Sequence, residues 1–263
     1  MKKCFTINPS RTAEDFESYR PLLAEGVYRA IEIFYPYHFE PKKQAAYTEN
    51  VKNLKRDFPA VEIVLHLPHG PANDLGNFEK ATAVMKVMKD GVDYGASLGA
   101  TKLTLHLGYM FPGATRAEAL SHCEEVLSEL AEYARKRDMY LMIENMPGPS
   151  ELGYAPGEIK TLIERVGAAN LKFILDTGHA HLSEYDIGEY IDILAPYLYH
   201  THFSDNDGSG DRHGRLGSGT IDFYGVLKKL RKIGYNELYC LEIIFETAAD
   251  LYRNAADLDK YDI

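Results

Sequence analysis

Short β-branched and aromatic runs alternate with longer amphipathic stretches along the chain, the two periodicities of strands and helices. The strand-like runs are CFTIN at 4–8, RAIEIFY at 29–35, VEIVLHL at 61–67, KLTLHLG at 102–108, YLMIENM at 140–146, KFILDTG at 172–178, YHTHFSD at 199–205 and LYCLEII at 238–244. The helix-like stretches cover 12–26, 44–58, 77–99, 115–138, 155–167, 186–197, 221–234 and 246–259. Gly26, Gly99, Gly167 and Gly234 are placed to stop helices in a left-handed residue, and Asn77 and Thr115 to cap them. Eight strand and helix units in one chain predict a single-domain (β/α)8 barrel over 1–263, since a doubly wound sheet more often has fewer strands. The longest aperiodic segments, 36–43, 147–156 and 204–220, each follow a strand, on the face where barrels carry their sites.

Residues of metal-ligand type recur at or just beyond the strand ends: His66, His106, Glu144, Asp176, His179, His202, Asp211, His213 and Glu242. An ionisable group in a buried strand is expensive unless paired or bound to a metal, so its recurrence on six strands points to a centre at one mouth. His66 and His106 alternate with leucines, which puts imidazole and leucine on opposite strand faces. A lone histidine there is usually a satisfied core residue; two at equivalent positions of consecutive strands favour ligation. Glu144 and Glu242 lie within apolar runs, where the bland alternative is an ion pair with a neighbouring strand. Strands five, seven and eight carry no Lys or Arg of their own, which weakens that alternative.

In DTGH, Asp176 is either a ligand or an ordinary helix N-cap beside an exposed His179. His200 shares the parity of His202 and competes for the inward position. Asp211 and His213 flank Arg212 in the glycine-rich segment GSGDRHGRLGSG, where a mobile, solvated turn is the alternative. Carboxylates with imidazoles and no thiolate suit Zn, Mn, Fe, Co or Ni(II). Four ligands satisfy one ion; nine fill a cluster of two or three, with Glu144 or Glu242 bridging.

The chain has 263 residues and a formal net charge of -10, which gives no bulk attraction to nucleic acid or an anionic membrane, although bound metal would add local positive charge. No run approaches a membrane span and the start, MKKCFTINPS, has no signal-peptide core, so a cytoplasmic location is expected. Cys4, Cys123 and Cys240 are expected to be buried thiols. Basic clusters at Lys42 and Lys43, Arg135 to Arg137, and Lys228 to Lys232 number two on helices, and those two are expected to be solvated faces. Arg212 and Arg215 are the cations placed to meet a phosphate, a number that suits a sugar phosphate better than a duplex.

The strand ends HLPHG, HLG, IEN, LDTGHA, HFSDN, DRHGRLGSGTIDF and LEI together resemble the xylose-isomerase-like TIM-barrel superfamily, over essentially the whole chain. That superfamily includes sugar isomerases and epimerases and AP endonucleases of the endonuclease IV type. The first branch implies one divalent ion held by Glu144, Asp176, His202 and Glu242, the two glutamates moving protons beside a metal-bound carbonyl. His179 and Arg212 would orient substrate oxygens, with Glu32, His66, His106, Asn145 and Arg215 as further substrate contacts. The second branch implies three zinc ions on all nine positions, hydrolysing a phosphodiester. Against it, LPHG lacks that branch's DNA wedge and the chain is short, although Tyr35, Tyr37, His38 and Phe39 offer either a wedge or a sugar-stacking lid. A barrel that only binds sugars is disfavoured because no ligand position is lost. The expectation is an isomerase or epimerase of a small sugar, polyol or sugar phosphate, with substrate identity open and a homo-oligomer allowed.

Overall fold

The structure is a computed structural model that describes residues 1–70 and 72–262. Its strands are β1 (Lys2–Ile7), β2 (Ala30–Phe34), β3 (Glu62–His66), β4 (Lys102–Leu105), β5 (Tyr140–Glu144), β6 (Leu171–Asp176), β7 (Leu198–Phe203) and β8 (Leu238–Leu241). All pair in parallel in sequence order, and β8 closes on β1. The strand pleat sorts side chains onto two surfaces. Outward residues such as Phe5, Ile33, Leu65, Leu103, Ile143 and Phe173 join the helices in one large apolar core. Inward residues Cys4, Ala30, Val64, Met142, Ile174, Leu238 and Cys240 fill the lumen, so the barrel is a packed body and not a pore. At the N-terminal end Lys102 plugs the lumen, 2.9 Å from both Glu62 and Glu237.

The helices are α1 (Ala13–Ala24), α2 (Pro41–Asp57), α3 (Ala81–Ser97), α4 (Arg116–Arg135), α5 (Pro156–Val166), α6 (Thr177–Leu182), α7 (Ile187–Leu194), α8 (Phe223–Lys232) and α9 (Ala248–Lys260). The eight expected helices are present with shifted ends, and α6 is additional. Helix α2 starts at Pro41, whose fixed φ and missing N–H suit a first turn. Asn77 does not cap α3: its side chain closes a separate turn on the Lys80 amide, 3.2 Å away, and the helix starts at Ala81. Thr115 caps α4 in a capping box with Glu118. The four stop glycines have φ between 63° and 75°, the left-handed region in which a Cβ is disfavoured. The three cysteines are buried free thiols. Among the described residues, no helix is long and apolar enough to cross a membrane.

Candidate metal centre at the barrel mouth

His66, Glu144 and Asp176 are the last residues of β3, β5 and β6; His202 lies in β7, and His106 and Glu242 follow β4 and β8 directly. Strand parity turns all six inward at the C-terminal end. Ligand atoms of Glu144, Asp176, His202 and Glu242 lie within 4.8 Å of one another, as do those of His66, His106 and Glu144. Glu144 joins the two groups. One of its oxygens is 3.1 Å from Nδ1 of His202, and the other is 3.0 Å from Nε2 of His106 and 3.7 Å from Nε2 of His66. His202 Nδ1 is also 3.0 Å from Glu242. A third group stands beside them, where one Asp211 oxygen is 3.3 Å from Nε2 of His179 and 3.1 Å from Nε2 of His213. All nine predicted residues are therefore brought together at one mouth.

The second nitrogen of most of these imidazoles is already committed. Nδ1 of His66, His179 and His213 lies 2.8–3.0 Å from the carbonyls of Leu67, Asn145 and Glu242 respectively. Donation from Nδ1–H would leave each Nε2 available to ligate an ion, the arrangement that orients metal-binding histidines. His202 is reversed: its Nε2 is 2.9 Å from Glu32 and its Nδ1 faces the mouth.

The Asp176 carboxylate combines the two readings that the sequence left open. One oxygen accepts the His179 amide at 2.6 Å as the N-cap of α6. The other, Oδ2, is buried without a hydrogen-bond partner. Burial, with Glu144 and Glu242 nearby, pushes the Asp176 carboxyl up to about 6 despite His179. Burial works against the charged form of His202, yet Glu242, Glu32 and Glu144 hold its pKa well above the ordinary value. Buried Glu144 and Asp176 and half-buried Glu242, with no Lys or Arg among their partners in the described residues, bring three carboxylates into one small space. A divalent cation fits that space and this oxygen and nitrogen donor set.

Glu32 takes a different place from the substrate contact expected of it. It is sealed one layer below the ligands, with Thr104 Oγ1 donating to it at 2.7 Å and His200 and His202 each at 2.9 Å. Its role there is to hold His202. Burial raises the cost of its charge, but His202 and His200 keep its pKa well below the carboxylate range. The competition between His200 and His202 is resolved by depth: both face inward, and His200 stops at Glu32. Asn145 is also unavailable to substrate, because its amide is spent on the Asp176 backbone, donating at 3.0 Å and accepting at 2.8 Å.

The segment 204–220 is exposed over much of its length but held by hydrogen bonds to buried Asp205. Asp205 accepts the amides of Gly217, Gly219 and Ile221 at 2.8, 2.9 and 3.3 Å. A Cβ on Gly219 would lie 2.2 Å from the Asn206 carbonyl, so the glycine there is a packing requirement. His213 takes φ 45°, an uncommon non-glycine conformation that aims its ring at Asp211. The two arginines diverge from the expected phosphate site. Arg215 is bound to buried Asp257 on α9 at 2.5 Å, and exposed Arg212 to Ser209 at 2.7 Å and Asp207 at 3.6 Å. On the outer helices Arg135 and Lys136 pair with Glu132, Arg137 with Asp93, Lys229 with Asp192 and Arg231 with Asp262.

Two residues of the site were not singled out from sequence. The ring of His69 lies 5.0 Å from that of His66 and 4.9 Å from that of His106, and its position three after His66, like His179 after Asp176, was the available signal. Thr104 had the inward parity of strand four.

The family model described as xylose isomerase-like TIM barrel matches residues 22–259. A putative hydroxypyruvate isomerase of Streptomyces coelicolor is 26% identical over 238 residues, 85% of this chain and 84% of that protein. A probable endonuclease 4 of Mycoplasma mobile is 26% identical over 220 residues, 75% of this chain and 74% of its own length. Among solved structures, a D-tagatose 3-epimerase-like protein superimposes with a TM-score of 0.82 at 26% identity, covering 99% of this chain and 97% of that one.

Proposed function

Because the chain belongs to the xylose isomerase-like TIM-barrel family, we propose that it is a divalent-metal-dependent isomerase or epimerase of a small sugar, polyol or sugar phosphate. The observation that carries this reading is the convergence of Glu144 and Glu242, from strands on different sides of the barrel, on one donor set with Asp176 and His202. These four residues would hold one ion of the Zn, Mn, Co or Fe type. When bound, it polarises a substrate carbonyl and its neighbouring hydroxyl, which eases removal of the adjacent carbon-bound proton.

Glu144 and Glu242 are the proton acceptor and donor. Glu242 borders an open cavity, whereas Glu144 is fully buried, so the two meet substrate from different depths. His179, anchored on the Asn145 carbonyl, orients a substrate oxygen, and His66 and His106 line the opposite side. The test is proton exchange into ketoses in D2O, together with metal analysis of protein purified without chelator. Glu144→Gln and Glu242→Gln should each lower exchange by at least about a hundredfold, the usual scale of a lost general acid or base. Full-rate exchange in either variant would remove that residue from the role.

A second reading has its own support: Nε2 of His179 and of His213 both face Asp211, completing a third donor group. This favours a multinuclear zinc phosphodiesterase of the endonuclease 4 type. Near three zinc per chain with cleavage of an abasic-site oligonucleotide would establish it; one ion per chain and no cleavage would exclude it. Weighing against it are the net charge of -10 and the pairing of Arg212 and Arg215 with acidic side chains, since a duplex calls for many free cations.

A further inference from the structure

Two cavities adjoin at the mouth and share Asn8 and Phe34 as a common wall. The first, about 410 Å³, contains Glu242, His213, Thr6 and Arg11. The second, about 320 Å³, is lined by Tyr35, Tyr37, His38, Phe39, His66 and His69 among others, and among the described residues no Lys, Arg, Asp or Glu lines it. His66 thus faces the candidate metal centre and also the aromatic chamber. Each volume is near the lower end of small-molecule sites, room for one ring apiece.

The aromatic chamber is held in shape. Gln44, in the first turn of α2, donates to the carbonyls of Tyr37 and Phe39 at 3.3 and 2.6 Å. Asn73 donates to the Tyr37 hydroxyl at 2.6 Å. Tyr35 and Tyr37 stack at 5.8 Å, His38 and Phe39 lie 4.6 Å apart, and Phe34 stacks on His66 at 5.0 Å. A loop tied at both backbone and side chain is a recognition wall and not a free wedge. Arg11, which borders the first cavity, donates to the carbonyls of Phe245 and Glu246 and covers the Phe245 ring at 4.3 Å. Among the described residues neither chamber is lined by a lysine or by an arginine free of carbonyl partners; Lys43 stands over the Phe39 ring at 4.4 Å without lining the chamber, and a phosphate in the first cavity would meet Glu242 and Glu246.

We infer that the substrate is a neutral sugar bearing a second sugar ring, with the reacting sugar at Glu242 and the second ring against the aromatic residues 35–39. Aromatic faces are electron-rich and match the polarised C–H bonds of a sugar ring. Asn8, His38 and His69 supply polar groups at the rim for its hydroxyls, which a purely apolar occupant would leave unpaired. The inference rests on the isomerase or epimerase reading and narrows it, excluding sugar phosphates.

The experiment uses the full chain reconstituted with Mn(II), and D-fructose, palatinose, turanose and D-fructose 6-phosphate as probes, following carbon-bound hydrogen exchange in D2O by NMR. The two glycosylated ketoses should exceed D-fructose in kcat/KM by about tenfold or more, the scale of a remote contact used in the transition state. Phe39→Ala should bring that ratio near one and Phe39→Tyr should preserve it. Preference for the phosphate, or an unchanged ratio in Phe39→Ala, overturns the inference. If no ketose exchanges, the isomerase reading fails, and saturation-transfer NMR with palatinose still decides the chamber: transfer to glucosyl protons that is lost in Phe39→Ala supports it, and no transfer overturns it.

Discussion

At the scale of single residues, the arrangement around His202 shows how a buried carboxylate sets up a metal ligand. Its Nδ1 faces Glu144 and Glu242, and its Nε2 is held by Glu32, itself also bonded to His200 and Thr104. Glu32→Gln should therefore weaken metal binding by about 10- to 100-fold, the usual effect of losing a partner behind a ligand, while the circular dichroism spectrum stays native. Competition against a chromophoric chelator measures it, and unchanged affinity would reduce Glu32 to packing. Glu32 was expected from sequence as a substrate contact on the second strand, and its depth was not legible there. Depth depends on the stagger between strands, which no single run of residues encodes.

At the scale of elements, the 204–220 segment carries the ligand candidates Asp211 and His213, for which the sequence left a mobile turn as the alternative, and it is clamped by Asp205. Gly219→Ala would place a Cβ 2.2 Å from the Asn206 carbonyl, so it should destabilise the protein by about 1–3 kcal/mol, the scale of overpacking, as read from urea unfolding. The segment is also tied to the last helix. Asp257 is buried, which opposes its charge, but Lys260 and Arg215 hold its pKa below the ordinary value. A depressed carboxyl pKa contributes stability that is complete above the unfolded value of about 3.9 and is lost as pH falls through the folded one. Asp257→Asn should be less stable than the parent at pH 7, and the two should converge as pH drops from about 4 towards the folded pKa. A constant difference between pH 7 and pH 3 would show that the pair contributes through packing alone.

At the scale of the molecule, the barrel collects three carboxylates, two of them buried, and several imidazoles where an apolar core would otherwise close its end. Chelation should lower the melting temperature, and readdition of the native ion should restore it in a concentration-dependent way. A ligand at 100 times its Kd contributes about 2.7 kcal/mol to the folded state. Equal melting of treated and untreated protein would mean that the mouth is stable without an ion. The same architecture leaves the arginines near the mouth paired with acidic groups or backbone carbonyls, and this shapes the neutral-substrate inference more than the net charge does.

The sequence by itself determined the eight strand and helix units, and hence the closed barrel, because strand and helix periods and stop glycines are local properties. It also singled out the six candidate ligands at strand ends, because an ionisable residue there is anomalous wherever that strand packs, whereas His179, Asp211 and His213 lie beyond the strands and kept bland alternatives. Only the tertiary structure decided which of them share an ion-sized space, that Glu32 and Asn145 stand behind ligands, and that Arg215 turns to α9. Those outcomes depend on distances between side chains from strands tens of residues apart, set by barrel closure and strand stagger.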